Sequence, residues 1–353
     1  MNKLEKLGLK EKTLSTFKEK YSDYYIGRVI LEHRNVYKIS TEAGEIYGEV
    51  RGKMKYENAL KSDYPAVGDW VILDRESDKN GNAIILDILP RISVMKRKAA
   101  GGKLDEQIIA SNMDIVFICM SLNNDFNVNR LDRYIVTAWD SGAIPVIILT
   151  KSDLCDDLEE RLEEVEEKCA GIDILITSSL NNEGKEEIEK YMQNNKTAIF
   201  VGSSGVGKSS LLNMIIGENI QNVKEIGEHD KGRHTTTHRE LFVLENGGII
   251  IDTPGMRELQ IGDTIESVDS VFEDIEELIS KCKFSDCTHK REPGCAIREA
   301  VRNGTLTWER YNSYEKLKKE ALRLERKMNT VKVKKDLKKF HEKKEKELFK
   351  DIS

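Results

Sequence analysis

Proline and cysteine are scarce in this chain, with five and six residues among 353. So few prolines leave little room for Pro-rich linkers, and with 33% of residues charged they point to compact, helix-rich domains. No stretch reaches the roughly 18 apolar residues of a membrane span. An obvious signal peptide is also lacking, so disulfide pairing is the weaker reading of the cysteines and the cytoplasm is the expected compartment. Nor is there an excess of positive charge. Lys and Arg number 56 against 62 Asp and Glu, a net −6 that argues at first against a nucleic-acid partner. There is no internal repeat, and a chain of 353 residues has room for two or three domains.

What the chain does contain is a complete phosphate loop. An apolar run ending at Val201 leads into Gly202-Ser203-Ser204-Gly205-Val206-Gly207-Lys208-Ser209-Ser210, and Leu211 to Ile216 reads as the helix that should follow. In that context successive backbone N–H groups wrap phosphates and the helix N-terminus adds partial positive charge. Lys208 is expected on the β- and γ-phosphate oxygens, and Ser209 on Mg²⁺. A second short strand pattern, Gly248 to Asp252, ends in Asp252-Thr253-Pro254-Gly255. Its aspartate is expected to hold Mg²⁺ through water, and the Gly255 N–H to sense the γ-phosphate.

Upstream of the loop lies Thr150-Lys151-Ser152-Asp153, after the buried-strand pattern Pro145 to Leu149. The Asp153 carboxylate can accept from both N1–H and the exocyclic amine of guanine, a donor pair adenine lacks. Lys151 would lay its stem along the base. Thr150 stands where asparagine is usual, so the amide bridge to the phosphate loop is either lost or replaced by the hydroxyl. Ile174 to Ile176 reads as another strand, and Ser178 and Ser179 beyond it can support the base. Ordinary GTPases place the phosphate loop first and the guanine motif near the end. Here the cycle is intact but opened at another point, as in a circularly permuted GTPase.

Between Lys208 and Asp252 lies Lys231-Gly232-Arg233-His234-Thr235-Thr236-Thr237-His238. A threonine hydroxyl here is expected to complete the Mg²⁺ shell, with Thr236 favoured and Thr235 its rival. Met256 follows Gly255, where many GTPases carry a glutamine that orients the attacking water. Methionine cannot do this, so intrinsic hydrolysis should be slow. His234 is the local candidate for positioning water or a proton, or else a loop histidine whose charge is unused. The candidate catalytic set is therefore Lys208, His234 and Thr236.

Cys282-x₄-Cys287-x-His289-x₅-Cys295 puts three thiols and an imidazole within fourteen residues, the donor set of a closed tetrahedral Zn²⁺ site. No position is left for water, so the reading is structural rather than catalytic. Cys119 reads as a strand-core residue, and Cys155 and Cys169 carry no metal spacing.

From Tyr25 to Ser93 five short alternating segments suggest a small barrel of the OB type, preceded by an amphipathic helix within residues 1–20. Strands and helices then alternate to about Gly262, as a doubly wound sheet requires. An acidic helix, the cysteine cluster and a long helical tail follow, with a break at Asn303-Gly304. The tail is basic, 16 Lys and Arg against 8 Asp and Glu from Arg310 to Ser353. Such a helix can contact RNA phosphates or simply be solvated.

Together these residues resemble the bacterial ribosome small-subunit-dependent GTPase A family over nearly the whole chain. More particular marks are Pro65-Ala66-Val67-Gly68-Asp69-Trp70, Asn123-Asn124-Asp125-Phe126-Asn127 before Arg130-Leu131-Asp132-Arg133-Tyr134, Gly232 to Thr237, and the cysteine spacing. The resemblance implies a multidomain α/β chain: a helix and OB-like barrel over 1–93, a linker over 94–104, a permuted phosphate-loop GTPase domain over 105–263, and a zinc-binding helical domain over 264–353. It implies GTP, GDP, Mg²⁺ and one structural Zn²⁺ as ligands, and the small ribosomal subunit and its rRNA as partners of a monomer. The chain would bind the subunit late in maturation, hydrolyse GTP when stimulated by it, and then leave. Several permuted relatives carry asparagine at the fourth place of the phosphate loop, supporting potassium; this chain has Gly205.

Overall fold

The computed structural model describes residues 2–33, 36–52, 61–77, 81–98, 106–169, 171–217, 239–253 and 265–323, with 325, 326 and 330. It divides into two units, Met1–Arg97 with Asp105–Gln260, and Lys98–Leu104 with Ile261–Ser353.

The first unit begins with α1 (Lys3–Lys6) and α2 (Glu11–Lys20) rather than one continuous helix. Gly8 separates them at φ +78°, where an added Cβ would come within 2.8 Å of the Asn195 carbonyl oxygen. The barrel strands follow as β1 (Tyr25–His33), β2 (Val36–Thr41), β3 (Glu45–Val50), β4 (Trp70–Leu73) and β5 (Ala83–Ile88). Their order is β1-β2-β3-β5-β4, closed by β4 returning to β1 from Tyr25↔Leu73 to Arg28↔Trp70. All pairings are antiparallel except β3 with β5. Alternation explains the closure. In β3 every second residue is buried, and Val29, Ile39, Ile46, Val71 and Ile85 meet inside the barrel.

Val94–Lys98 (β6), inside the stretch read as a linker, is itself a strand and pairs with β7 (Glu106–Ser111) in a small separate sheet. Next come β8 (Ile115–Ser121), α3 (Leu131–Asp140), β9 (Ile144–Thr150), α4 (Leu158–Lys168), β10 (Ile174–Ile176), α5 (Lys185–Tyr191), β11 (Thr197–Val201), α6 (Lys208–Ile216), β12 (Glu240–Val243) and β13 (Ile249–Asp252). The sheet order is β10-β9-β8-β11-β13-β12, parallel except for β13 with β12. β8 is buried along its whole length, as expected of a strand covered on both faces. Phe117, Phe200, Val146, Leu211 and Ile250 are among the residues of the core on one of those faces.

Barrel and sheet are joined by the Leu31↔Glu240 register and by Arg28. Arg28 is 1% exposed, and its guanidinium donates to the carbonyls of Gly68, Leu7 and Asn112 and to the Thr197 hydroxyl. Burial holds its pKa down to about 10. One side chain thus ties the amino-terminal helices, the barrel and the first residue of β11.

In the second unit the expected acidic helix is two, α7 (Ile265–Val271) and α8 (Glu273–Ser280), separated by the fully buried Phe272. The cysteine segment follows, then α9 (Ala296–Arg302), which stops at the expected Asn303-Gly304 break, and a helix over 308–323. Arg310 stacks on Phe272 and pairs with Asp274, fastening that last helix to the acidic pair.

Candidate functional site

Because β8, β9, β10, β11 and β13 run parallel, their carboxyl ends share one edge of the sheet. That edge carries Thr150 to Asp153, Ser178 and Ser179, Gly202 to Ser210, and Asp252. Open α/β sheets bind ligands there, since loops leaving those ends and helix N-termini converge on it.

The phosphate loop links β11 to α6. Gly202 has φ +142°, and a Cβ there would lie 2.3 Å from the Cys119 carbonyl oxygen of β8, so only glycine fits. Gly205 and Gly207 are also left-handed, at φ +81° and +98°. Ser203 is half-buried, Val206 is buried and anchors the loop, and Ser204, Gly205, Ser209 and Ser210 are exposed. Lys208 donates to the carbonyls of Gly202 at 2.7 Å and Ser203 at 2.6 Å, and burial lowers its pKa. The ammonium is held across the loop it is expected to serve.

Of the two possibilities open for Thr150, the structure has the hydroxyl bridge. Thr150 is 3% exposed and its Oγ1 donates to the Val206 carbonyl at 2.5 Å. Lys151 sits at φ +61°, an uncommon conformation for a non-glycine residue, and donates to the Gly205 carbonyl at 2.7 Å. Both residues fasten the guanine motif to the phosphate loop, 54 to 56 positions away in sequence. Asp153 accepts from the buried Ser178 hydroxyl at 2.5 Å, and Ser178 is pinned in turn by a bridge to Glu183. The Ser152 N–H donates to the Thr177 carbonyl, binding the two loops together. Ser179 is half-buried beside them. Asp252 ends β13, next to β11 in the sheet. His234, Thr235, Thr236, Gly255 and Met256 lie outside the described residues.

The donor set fits a guanine nucleotide with Mg²⁺: a glycine cradle that a Cβ would fill, a lysine across it, and a carboxylate ordered by a serine. Two residues named from sequence, one in a motif and one as strand core, prove to line this site. Tyr134 of α3 brings its hydroxyl 3.5 Å from that of Ser203, and Cys119 forms the floor under Gly202. Burial pushes the Cys119 thiol up to about 12, so it is inert packing.

The ligand atoms of Cys282, Cys287, His289 and Cys295 all lie within 4.8 Å of one another. His289 Nδ1 is 3.6 Å from Cys282 Sγ and 3.4 Å from Cys295 Sγ. Zn–S and Zn–N bonds of about 2.3 and 2.0 Å imply tetrahedral edges of about 3.5–3.8 Å, so the four donors fit zinc. His289 turns inward at φ +59°, and burial lowers its pKa, favouring the neutral imidazole a metal needs. A residue missed in the sequence shapes the loop between them. The Glu292 carboxylate accepts from the N–H groups of Thr288, Lys290 and Arg291 and from the Thr288 hydroxyl, which holds its pKa down to about 2.

Residues 88–262 match the RsgA GTPase family. The small ribosomal subunit biogenesis GTPase RsgA 2 of Lactiplantibacillus plantarum is 50% identical over 296 residues, 84% of this chain and 83% of its own. This chain belongs to the RsgA GTPase family. Its similarity extends to the RsgA 1 protein of Oceanobacillus iheyensis, 45% identical over 86% of this chain and 87% of that one. The crystal structure of YjeQ from Thermotoga maritima aligns with TM-score 0.62 and 30% identity, covering 85% of this chain and 99% of that one. YloQ, described as a circularly permuted GTPase, aligns with TM-score 0.60 and 28% identity over 84% and 95% of the two chains. Membership of the RsgA family agrees with the permuted order of motifs and the five-stranded barrel found here.

Proposed function

We propose that this chain hydrolyses GTP to GDP and phosphate on the maturing small ribosomal subunit, is stimulated by that subunit, and leaves it after hydrolysis. One observation carries the nucleotide half of this reading. The Thr150 and Lys151 side chains fasten the guanine motif onto the phosphate loop beside the Ser178-held Asp153. Names of close relatives, which specify small ribosomal subunit biogenesis, support the partner half.

In this reading Asp153 selects guanine, with Ser178 and Ser179 supporting the base. The N–H groups from Gly202 to Ser210 and the Lys208 ammonium bind the phosphates. Ser209, Thr236 and, through water, Asp252 would hold Mg²⁺, which supplies charge neutralisation for the phosphoryl group. Gly255 senses the γ-phosphate. Met256 cannot orient water, so turnover is slow until the subunit is present, with His234 placing water or a proton. The four-donor cluster holds a structural zinc, and the barrel and basic carboxyl-terminal helix touch rRNA. The protein works as a cytoplasmic monomer with the three-part division given by the sequence motifs.

The test is GTP hydrolysis by purified protein with and without small subunits, with ATP and large subunits as controls. Stimulation by small subunits alone is the expected outcome. Lys208→Ala should lose nucleotide use, and His234→Ala should bind GTP without turnover. Slow, unstimulated turnover would favour an RNA-binding protein that keeps GTP as a structural ligand.

A further inference from the structure

Two exposed rings stand near the metal cluster, Phe284 inside its segment and Trp308 at the start of the helix over 308–323. Phe284 is 41% exposed and Trp308 is 43%, two of the three exposed Phe or Trp residues among those described. Phe284 lies between two candidate zinc ligands, Cys282 and Cys287, and its backbone is tied into the loop. Its carbonyl accepts from the Cys287 N–H, and the preceding Lys283 N–H donates to the Gly294 carbonyl. Trp308 meets Tyr311 edge-on at 5.8 Å, and Tyr311 meets His289 edge-on at 5.7 Å, so the second ring also rests on the metal cluster.

Charge is distributed unevenly around these rings. Residues 265–280 hold six carboxylates and no Lys or Arg, whereas residues 281–302 hold six Lys and Arg against three carboxylates. The acidic helices are paired internally, Asp274 with Arg310, and Asp269 and Glu276 with Lys318. Of the three acids in the basic stretch, Glu292 is turned onto its own loop. Lys283, Lys290 and Arg291 are exposed and make no ion pair among the described residues. The Lys283 ammonium stands 5.6 Å from the Phe284 ring centroid, within cation–π range.

We propose that this segment binds unpaired nucleotides of RNA, with a base stacked on Phe284 and its flanking phosphates on Lys283, Lys290 and Arg291. A half-exposed ring offers any base a π-face to stack on, and cations outside ion pairs supply phosphate contacts. The inference deepens the proposed function by naming the RNA form and the residues that read it. It depends on that reading for the biological source of the RNA.

The experiment uses the full-length zinc-loaded protein and a fluorescent single-stranded RNA of about a dozen nucleotides, a length that spans one such site. Phe284→Ala should weaken binding about tenfold, whereas Phe284→Tyr stays near wild type. The Lys290→Glu, Arg291→Glu pair should flatten the salt dependence by about 0.7 in slope for each phosphate that is no longer neutralised. Zinc content is checked in every variant; if alanine loses metal, Phe284→Leu keeps the apolar bulk without the ring. Unchanged affinity in the ring variant overturns the proposal. So does equal affinity for duplex RNA, which would leave phosphate contact alone, or tighter binding of an acidic peptide. Small-subunit stimulation of wild-type hydrolysis is measured separately. If stimulation persists but Phe284 has no effect on binding, this inference fails and the proposed function stands. Phe284-dependent binding without stimulation would sustain the inference and sink the proposed function.

Discussion

Replacing Thr150 by valine removes one hydroxyl and keeps the shape of the side chain. That hydroxyl is buried and donates to the Val206 carbonyl, with the Met120 carbonyl 3.3 Å away. Leaving a buried acceptor unsatisfied costs about 1–3 kcal/mol. In the free protein part of this cost is relieved, because the neighbouring Ser204 and Gly205 are exposed and water reaches the loop. With a nucleotide over the loop water is excluded, so most of the cost should appear in binding. At about 1.4 kcal/mol per factor of ten, GDP affinity should fall about tenfold, with a smaller loss of thermal stability. Thr150→Ser restores the donor, and so does Thr150→Asn through its amide N–H. The assay is a fluorescent GDP titration of the four proteins alongside thermal melts. If valine binds GDP as tightly as threonine, the bridge has no part in holding the loop for the phosphates. A valine variant that loses melting temperature but no affinity would make Thr150 a core residue only.

Two further outcomes follow from local geometry. Gly202→Ala places a Cβ 2.3 Å from the Cys119 backbone oxygen, which cannot move away, and GDP binding should vanish; Gly205→Ala meets open space at φ +81° and costs only about 1–2 kcal/mol of conformational strain. A reversed order of severity in the same titration would refute this account of the loop. Cys295→Ser, or chelation of the wild type, should release one zinc and expose residues 265–323 to protease, because bound structural zinc carries a large share of the folding free energy of small domains. GDP affinity should persist, since the nucleotide residues belong to the other unit; protease resistance after metal removal would show that the cluster is not structural.

Much of this was readable from the chain because the chemistry is local. The phosphate loop needs glycines and a lysine at set spacings before a helix, and the metal cluster needs four donors within fourteen residues. The five barrel segments are short, rich in β-branched and aromatic residues and bounded by turns, and all five formed, although β3 alternates in burial while β4 is buried throughout. The permuted order of the motifs is a property of connectivity, which sequence alone records. Contacts between distant segments left no such mark. Arg28 reads as an ordinary strand cation, yet it is buried at the junction of helix, barrel and sheet, bonded to Thr197, 169 residues away. The choice between a lost and a replaced bridge at Thr150 depended on where the Val206 carbonyl came to lie. The strand at Val94–Lys98 was hidden because its basic, glycine-flanked composition reads as linker, while its partner lies beyond the glycines. Glu240–Val243, the strand between β13 and β1, was missed because only Leu241 of its four residues is buried, which leaves no alternation to read. Sequence by itself determined which groups are available and in what order the chain delivers them. Tertiary structure decided which of them meet, because a hydrogen bond or a buried charge depends on separation in space and leaves no period along the chain.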